Sequence, residues 1–216
     1  MQWIDIETEL TTAITDLLMA AVALYAIMKI LSSRADQRIG QRAIVWSVAF
    51  GFLALAGVLG FVAHGFVLSD AAKELIWQPL YLSLGLTMSM FAVGVIIDLA
   101  NRPAPRGVVV AFVVAGIGFY SLTLFVSGSF LVFILYEAVL LLFALGAYSA
   151  ILIRRRKRFA AWMLAGIAVS ITAAVVQATG TASIQIVWAF DHNGLFHLIQ
   201  IAGVALLLKG ILPGPR

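Results

Sequence analysis

The sequence predicts an all-α, polytopic membrane protein of seven transmembrane helices, built as a single domain over residues 1–216. Hydrophobic residues make up 63% of the 216-residue chain and charged residues only 11%, whereas soluble domains carry about 45–50% apolar and about 25% charged residues. The apolar residues also stand in consecutive runs of about 20, the length that a helix needs to cross a bilayer. The chain is therefore expected to have a bilayer as its main solvent.

Gly, Pro and charged residues separate the apolar runs. The predicted spans are 10–31, 43–68, 75–98, 107–126, 129–153, 159–182 and 193–212. The weakest break is Ser127-Gly128-Ser129, and without it residues 107–153 would form one helix far too long for a bilayer. The residues before the first run are acidic and include no Lys or Arg, whereas a cleavable signal peptide begins with a positive segment. The first run is therefore expected to be a retained helix.

The basic residues fall almost entirely in loops on one side of the predicted bundle. These are Lys29, Arg34, Arg38, Arg42, Arg102, Arg106, Arg154, Arg155, Arg156, Lys157, Arg158, Lys209 and Arg216. The opposite side has Lys73 among acidic residues such as Asp5, Glu7 and Glu9. By the positive-inside rule, the basic loops are cytoplasmic, the N-terminus is outside and the C-terminus is inside. The net charge of +4 is thus explained by topology, and no nucleic-acid partner is expected.

Several strongly polar side chains lie within the apolar spans, where they are costly and are functional candidates by default. They are Asp16, His64, Glu137 and His197, accompanied by Gln78, Gln177 and Gln200. With a rise of 1.5 Å per residue, each lies within roughly 12 Å of the outer face, and we expect them to line one polar cavity that opens outward. Asp98 lies at the other face beside Arg102 and is interpreted as an interfacial acid.

Ordinary structural roles compete with this interpretation. An isolated charge in hydrocarbon is prohibitive, so Glu137 is expected to be neutral and hydrogen-bonded, paired with a cation, or bound to a metal. Both a structural role for a neutral Glu137 and a functional role are left open. Asp16 follows Thr11, Thr12 and Thr15, and its carboxylate could simply bond hydroxyls within the bundle.

The segment 191–200 carries the strongest local pattern, Asp191-His192-Asn193-Gly194-Leu195-Phe196-His197-Leu198-Ile199-Gln200. Asp191 or Asn193 is a suitable N-cap for the seventh helix. Helical spacing then places Asn193, His197 and Gln200 on one face. The chain has no cysteine, so His, Asp, Glu or water must hold any metal.

A histidine late in the second helix and a histidine-containing start of the seventh helix resemble the CREST superfamily. This group includes alkaline ceramidases and progestin/adipoQ receptors, which are seven-helix zinc-dependent intramembrane amidohydrolases or their relatives. The family pattern is Ser-x-x-x-His on helix two, an Asp near the start of helix three, and His-x-x-x-His on helix seven. His64 and His197 match this pattern, whereas Gly60 replaces the serine and Asn193 replaces the first histidine of helix seven. Glu74 is the nearest match to the aspartate, followed by Asp70.

The resemblance implies a zinc-dependent hydrolase that acts on a lipid amide or ester in the outer half of a bacterial cytoplasmic membrane. Zinc would be held by His64 and His197, with a third ligand from His192, Glu74, Glu137 or Asp16, and either Glu137 or Asp16 would act as the general base.

Two other functions compete with hydrolysis. A non-catalytic bundle would use Asn193, Gln200, Gln177 and Gln78 to bind a lipid headgroup or a small polar ligand. A proton-coupled transporter is disfavoured, because the sequence shows neither an inverted repeat nor a pair of Gly/Pro-interrupted helices.

Overall fold

A computed structural model describes residues 2–33, 40–126 and 130–212, and within these ranges the chain forms seven long helices and one short hairpin. The helices are α1 (Glu7–Ser32), α2 (Gln41–Gly65), α3 (Asp70–Ala100), α4 (Arg106–Phe125), α5 (Phe130–Arg155), α6 (Phe159–Thr179) and α7 (His192–Ile211). Strands β1 (Ile184–Gln185) and β2 (Ala189–Phe190) pair antiparallel between α6 and α7.

All of the described helices are long and apolar enough to cross a membrane, which confirms the prediction of an all-α bundle of seven such helices. Their ends lie within about five residues of the predicted ends, and the largest difference is at α3, which begins at Asp70. The predicted breaks at 36–38 and 127–129 lie outside the described residues, as do Arg34, Arg38 and Arg216.

Capping side chains explain where α3 and α7 begin. The Ser69 hydroxyl accepts a hydrogen bond from the Ala72 amide at 3.3 Å, which starts α3 one turn before its apolar run. The Asp191 carboxylate accepts from the amides of Asn193 at 3.0 Å and Gly194 at 2.9 Å. Asp191, not Asn193, is therefore the N-cap of α7, and its side chain satisfies amides that have no partner within the helix.

Helices α1, α2, α3, α5, α6 and α7 form a closed ring, in which each packs against the next and α7 returns to α1. Helix α4 lies outside this ring against α3 and touches α5 only slightly. Consecutive helices are thus neighbours, as their short loops predict, but α4 takes no place in the ring. We call the end at which α1, α3, α5 and α7 begin the outer end, and the opposite end the inner end.

A buried ion pair ties four helices together at the inner end. Arg42 on α2 donates from Nε and Nη2 to the two carboxylate oxygens of Asp98 on α3, at 2.5 and 3.2 Å. Tyr148 on α5 donates to the same carboxylate at 2.9 Å, and Arg42 Nη1 donates to the Ile211 carbonyl of α7 at 2.7 Å. Asp98 therefore does pair with an arginine at this end, but its partner is Arg42, not Arg102, and its side chain is buried.

Candidate functional site

A cavity of about 830 Å³ lies within the helix ring and extends from the outer end to Trp46 and Leu207, near the inner ends of α2 and α7. Thr123 and Leu124 of α4 also line it. This volume falls in the range of about 300–1,000 Å³ that is usual for small-molecule sites. The ten site residues proposed from the sequence all line it: Asp16, His64, Glu74, Gln78, Glu137, Gln177, His192, Asn193, His197 and Gln200. These residues come from six separate helices, and the fold brings all of them to the same cavity.

His197 is held by two neighbouring residues of α1. Its Nδ1 lies 3.0 Å from the Thr15 hydroxyl, and its Nε2 lies 3.3 Å from Oδ1 of Asp16. The Thr15 hydroxyl donates its only proton to the Thr12 carbonyl at 2.8 Å, so His197 Nδ1 must be the donor to Thr15. In the neutral tautomer, Nε2 is then an acceptor. A proton on Asp16, or a second proton on His197, is therefore needed to join the two side chains.

Gly60 makes room for the Asp16 carboxylate. A Cβ atom at position 60 would lie 2.6 Å from both Cγ and Oδ1 of Asp16. Gly60 is one turn before His64 on α2, so these two positions share a face of the helix. The carboxylate of α1 thus occupies the space into which a side chain at position 60 would project.

His64 lies near the outer end and is oriented by two contacts. Its Nδ1 lies 2.7 Å from Oε2 of Glu9, and its ring packs edge-on to Trp77 with the centroids 5.7 Å apart. Nε2 is left as the ring nitrogen that has no hydrogen-bond partner among the described residues. His64 therefore presents at most one nitrogen to a ligand while the Glu9 contact persists.

The first turn of α7 forms one side of the cavity mouth. Gln177 of α6 donates to the Asn193 side-chain oxygen at 3.4 Å, and Asn193 in turn donates to Asp191 at 3.3 Å. Thr12 of α1 donates to Asp191 at 3.0 Å, so the cap also ties α7 to α1. His192 is the first residue of α7, and Glu74 lies exposed on the first turns of α3.

Glu137 of α5 is only 4% exposed, and its Oε2 has no hydrogen-bond partner in the described part of the chain. From the sequence, Glu137 is expected to be neutral and hydrogen-bonded, paired with a cation, or bound to a metal. Among the described residues, no side chain supplies a cation or a hydrogen bond to Oε2, so any partner of this oxygen must come from water or a ligand.

Unpartnered polar atoms are concentrated around the cavity. Among the described residues, all but one of the buried side-chain polar atoms that lack a partner belong to cavity-lining residues, and the exception is Ser47. The cavity atoms are Asp16 Oδ2, Trp46 Nε1, Gln78 Oε1, Glu137 Oε2, Ser170 Oγ, Gln177 Oε1 and Gln200 Oε1. Each would cost about 1–3 kcal/mol if it stayed unsatisfied, so together they call for water or a ligand inside the cavity.

Aromatic side chains form another wall of the cavity. Trp77 and Tyr81 of α3 have ring centroids 5.5 Å apart, and Tyr81 lies 6.3 Å from Phe130 of α5. Phe130 is 5.2 Å from Phe133, which is one helical turn before Glu137. We call Trp77, Tyr81, Phe130 and Phe133 the aromatic track, which leads from the mouth toward Glu137.

Side chains that could bind zinc line the cavity, but those of the described residues are not grouped closely enough to hold the ion. Within residues 2–33, 40–126 and 130–212, no three His, Asp or Glu side chains are close enough together to hold a metal ion. Both ring nitrogens of His197 contact α1, and one ring nitrogen of His64 contacts Glu9. Ligation by these histidines would require at least one of these contacts to break, so the arrangement does not fit zinc as it stands.

Sequence reasoning missed the residues that hold the site together. Thr15, Glu9 and Gly60 position His197, His64 and Asp16 respectively. Thr15 is 182 positions from His197 in the sequence, and no local pattern joins the two residues. The threonines around Asp16 are the one sequence feature that points to this region, and they suggest contacts with Asp16, whereas Thr15 contacts His197.

The ring of apolar helices and its polar cavity define a class of protein: a membrane-type helical bundle with an internal polar cavity. Residues 11–214 match a family of unknown function (DUF6962), and the chain belongs to that family. No curated protein and no solved structure matches the chain.

Proposed function

We propose that this chain is an integral membrane protein whose outer cavity binds a lipid or another amphipathic small molecule. The cluster of buried, unpartnered polar atoms at the cavity carries the proposal, because these atoms need a partner that the described residues do not supply. The inner part of the cavity is lined by apolar side chains such as Phe91, Leu141 and Leu207. A ligand with a polar head toward the outer end and an apolar body toward the middle matches both regions.

The orientation that we propose has the N-terminus outside the cytoplasm and the C-terminus inside, in a bacterial cytoplasmic membrane. Among the described residues, Arg42, Arg102, Arg106 and the run 154–158 lie at the inner end, and the outer end has Lys73 among several acidic residues. This distribution is typical of proteins that obey the positive-inside rule. The cavity mouth then faces the outer leaflet, which gives membrane lipids the shortest route to it.

Mass spectrometry of the purified protein tests ligand binding. We expect a co-purifying amphiphile near one per chain. Ala56 lines the cavity, so Ala56→Phe should reduce the amount of bound ligand. Val114 on α4 is 60% exposed, and Val114→Phe is the matched control that should retain the ligand. Wild-type protein that carries no amphiphile, or equal retention in the two variants, would contradict the proposal.

Zinc-dependent hydrolysis of a lipid amide or ester is the second candidate. One observation favours it: His64 and His197, which match the CREST pattern, line the same cavity. The test is metal analysis of the purified protein. Near-stoichiometric zinc that is lost in His64→Ala and His197→Ala would support hydrolysis, whereas folded, metal-free protein from zinc-supplemented cells would exclude it.

A further inference from the structure

The cavity is acidic and contains none of the side chains that usually bind anionic heads. Asp16, Glu74 and Glu137 line it together with three histidines, and no Lys or Arg of the described residues does so. Phosphate and sulfate groups are recognised chiefly by Arg and Lys. An anionic head would therefore meet carboxylates with no fixed positive charge to offset them.

Glu137 and Asp16 reach the cavity at different levels of the bundle. Asp16 meets Gly60 near the outer end of α2, whereas Tyr136, which precedes Glu137, bonds Ser89 about two thirds of the way along α3, so Glu137 lies deeper. Each has a buried carboxylate oxygen without a partner among the described residues. Charge at such a depth is tolerated when a counter-charge neutralises it.

The aromatic track supplies a second feature that favours positive charge. The negative faces of aromatic rings attract ammonium groups, and clusters of such rings recognise quaternary ammonium ligands. The track runs from Trp77, beside His64, to Phe133, and Glu137 follows one turn later on the same helix. A cation that enters from the mouth would contact aromatic rings along its path and meet a carboxylate at the end.

We propose that the ligand of this cavity is an organic cation: an amphiphile whose ammonium head pairs with Glu137 against the aromatic track. This inference rests on the proposed function, since it names the class of molecule that the cavity binds. Asp16 contributes to the negative potential of the cavity, while Glu137 makes the direct ion pair.

The test compares three probes that share an octyl chain and differ in head charge: octyltrimethylammonium, octyl sulfate and octyl glucoside. Binding to the full-length protein in maltoside detergent is followed by tryptophan fluorescence, because Trp46 and Trp77 line the cavity. We expect saturable binding of octyltrimethylammonium about tenfold tighter than that of the other two probes. Glu137→Gln, which keeps the shape of the side chain, should abolish this preference.

Tyr136→Phe is the matched control. Tyr136 precedes Glu137 on α5, its hydroxyl bonds Ser89 at 2.9 Å, and it does not line the cavity, so the preference should survive this change. Equal or tighter binding of octyl sulfate or octyl glucoside, or a preference that persists in Glu137→Gln, overturns the cation proposal and leaves the amphiphile site intact. Failure of every probe to bind saturably overturns both.

Discussion

The carboxylate of Asp16 on α1 occupies the space that a side chain at position 60 of α2 would fill. A Cβ atom there would lie 2.6–2.7 Å from Cγ and both oxygens of Asp16, and the same carboxylate reaches to 3.3 Å from His197 on α7. Because Gly60 has no side chain, the Asp16 carboxylate can pack against α2 and still contact His197 on α7. The helices α1, α2 and α7 therefore meet at the polar wall of the cavity.

Gly60→Ala should destabilise the protein by about 1–3 kcal/mol, because the added methyl group displaces the Asp16 carboxylate from its place beside His197. Gly51→Ala on the same helix is the matched control: a Cβ atom at position 51 meets nothing within 4 Å, and this change should be neutral or slightly stabilising. Thermal unfolding in detergent measures both effects.

Combining Gly60→Ala with Asp16→Ala shows whether the loss of stability comes from the clash with Asp16 or from a general effect of the substitution on α2. In an Asp16→Ala background, Gly60→Ala should cost much less, since the carboxylate that it displaces is gone, and the double-mutant cycle should be non-additive. Additive effects would show that Asp16 does not occupy this space.

Arg42→Ala should destabilise the bundle by about 3–5 kcal/mol, because it leaves the buried Asp98 carboxylate without its counter-charge. Tyr148→Phe removes only one hydrogen bond to Asp98 and should cost about 1.5–3 kcal/mol. Arg102 is exposed near the same end of the bundle, so Arg102→Ala is the control and should change the unfolding temperature little. A loss for Arg102→Ala that equals the loss for Arg42→Ala would refute this assignment of the ion pair.

Asp191→Ala should cost about 0.5–2 kcal/mol and should also weaken ligand retention. The carboxylate caps α7 and accepts a hydrogen bond from Thr12 at 3.0 Å, so its loss loosens the first turn, where His192 and Asn193 line the cavity. Ser69→Ala removes the single cap bond of α3 and should lower stability with less effect on retention. Co-purified ligand, quantified by mass spectrometry, distinguishes the two variants.

The proposed orientation can be checked directly because the sequence contains no cysteine. A membrane-impermeant maleimide should label Glu74→Cys in intact cells, because Glu74 is exposed at the outer end. It should label Arg155→Cys only after the cells are permeabilised. The reverse pattern of labelling would place the cavity mouth on the cytoplasmic side.

The sequence predicts the helices well, for a simple reason. Helix length follows from bilayer thickness, which does not depend on how the helices pack. The offset of one helix against another does depend on packing, so Glu137 lies deeper than Asp16 although the rise per residue alone places them at comparable levels.

Packing order and side-chain partners could not be obtained in the same way. Helix α4 is apolar along its span and, unlike each of the other six helices, supplies no charged, His or amide side chain to the cavity. This difference is consistent with its place outside the ring, but it does not give the order in which the other six pack. The partners Arg42 and Asp98 are 56 positions apart, and Thr15 and His197 are 182 apart. Which cation meets which acid depends on the rotation of each helix about its axis, and small residues such as Gly60 set that rotation through close contacts.

The most direct test of an amphiphile-binding cavity is an experimental structure of the full chain in lipid nanodiscs, at a resolution that shows side chains. We expect elongated density inside the helix ring, with its polar end near Glu137 and its apolar end against Phe91 and Leu207. A cavity that is closed by packed side chains, or one that contains only ordered water, would contradict the central claim.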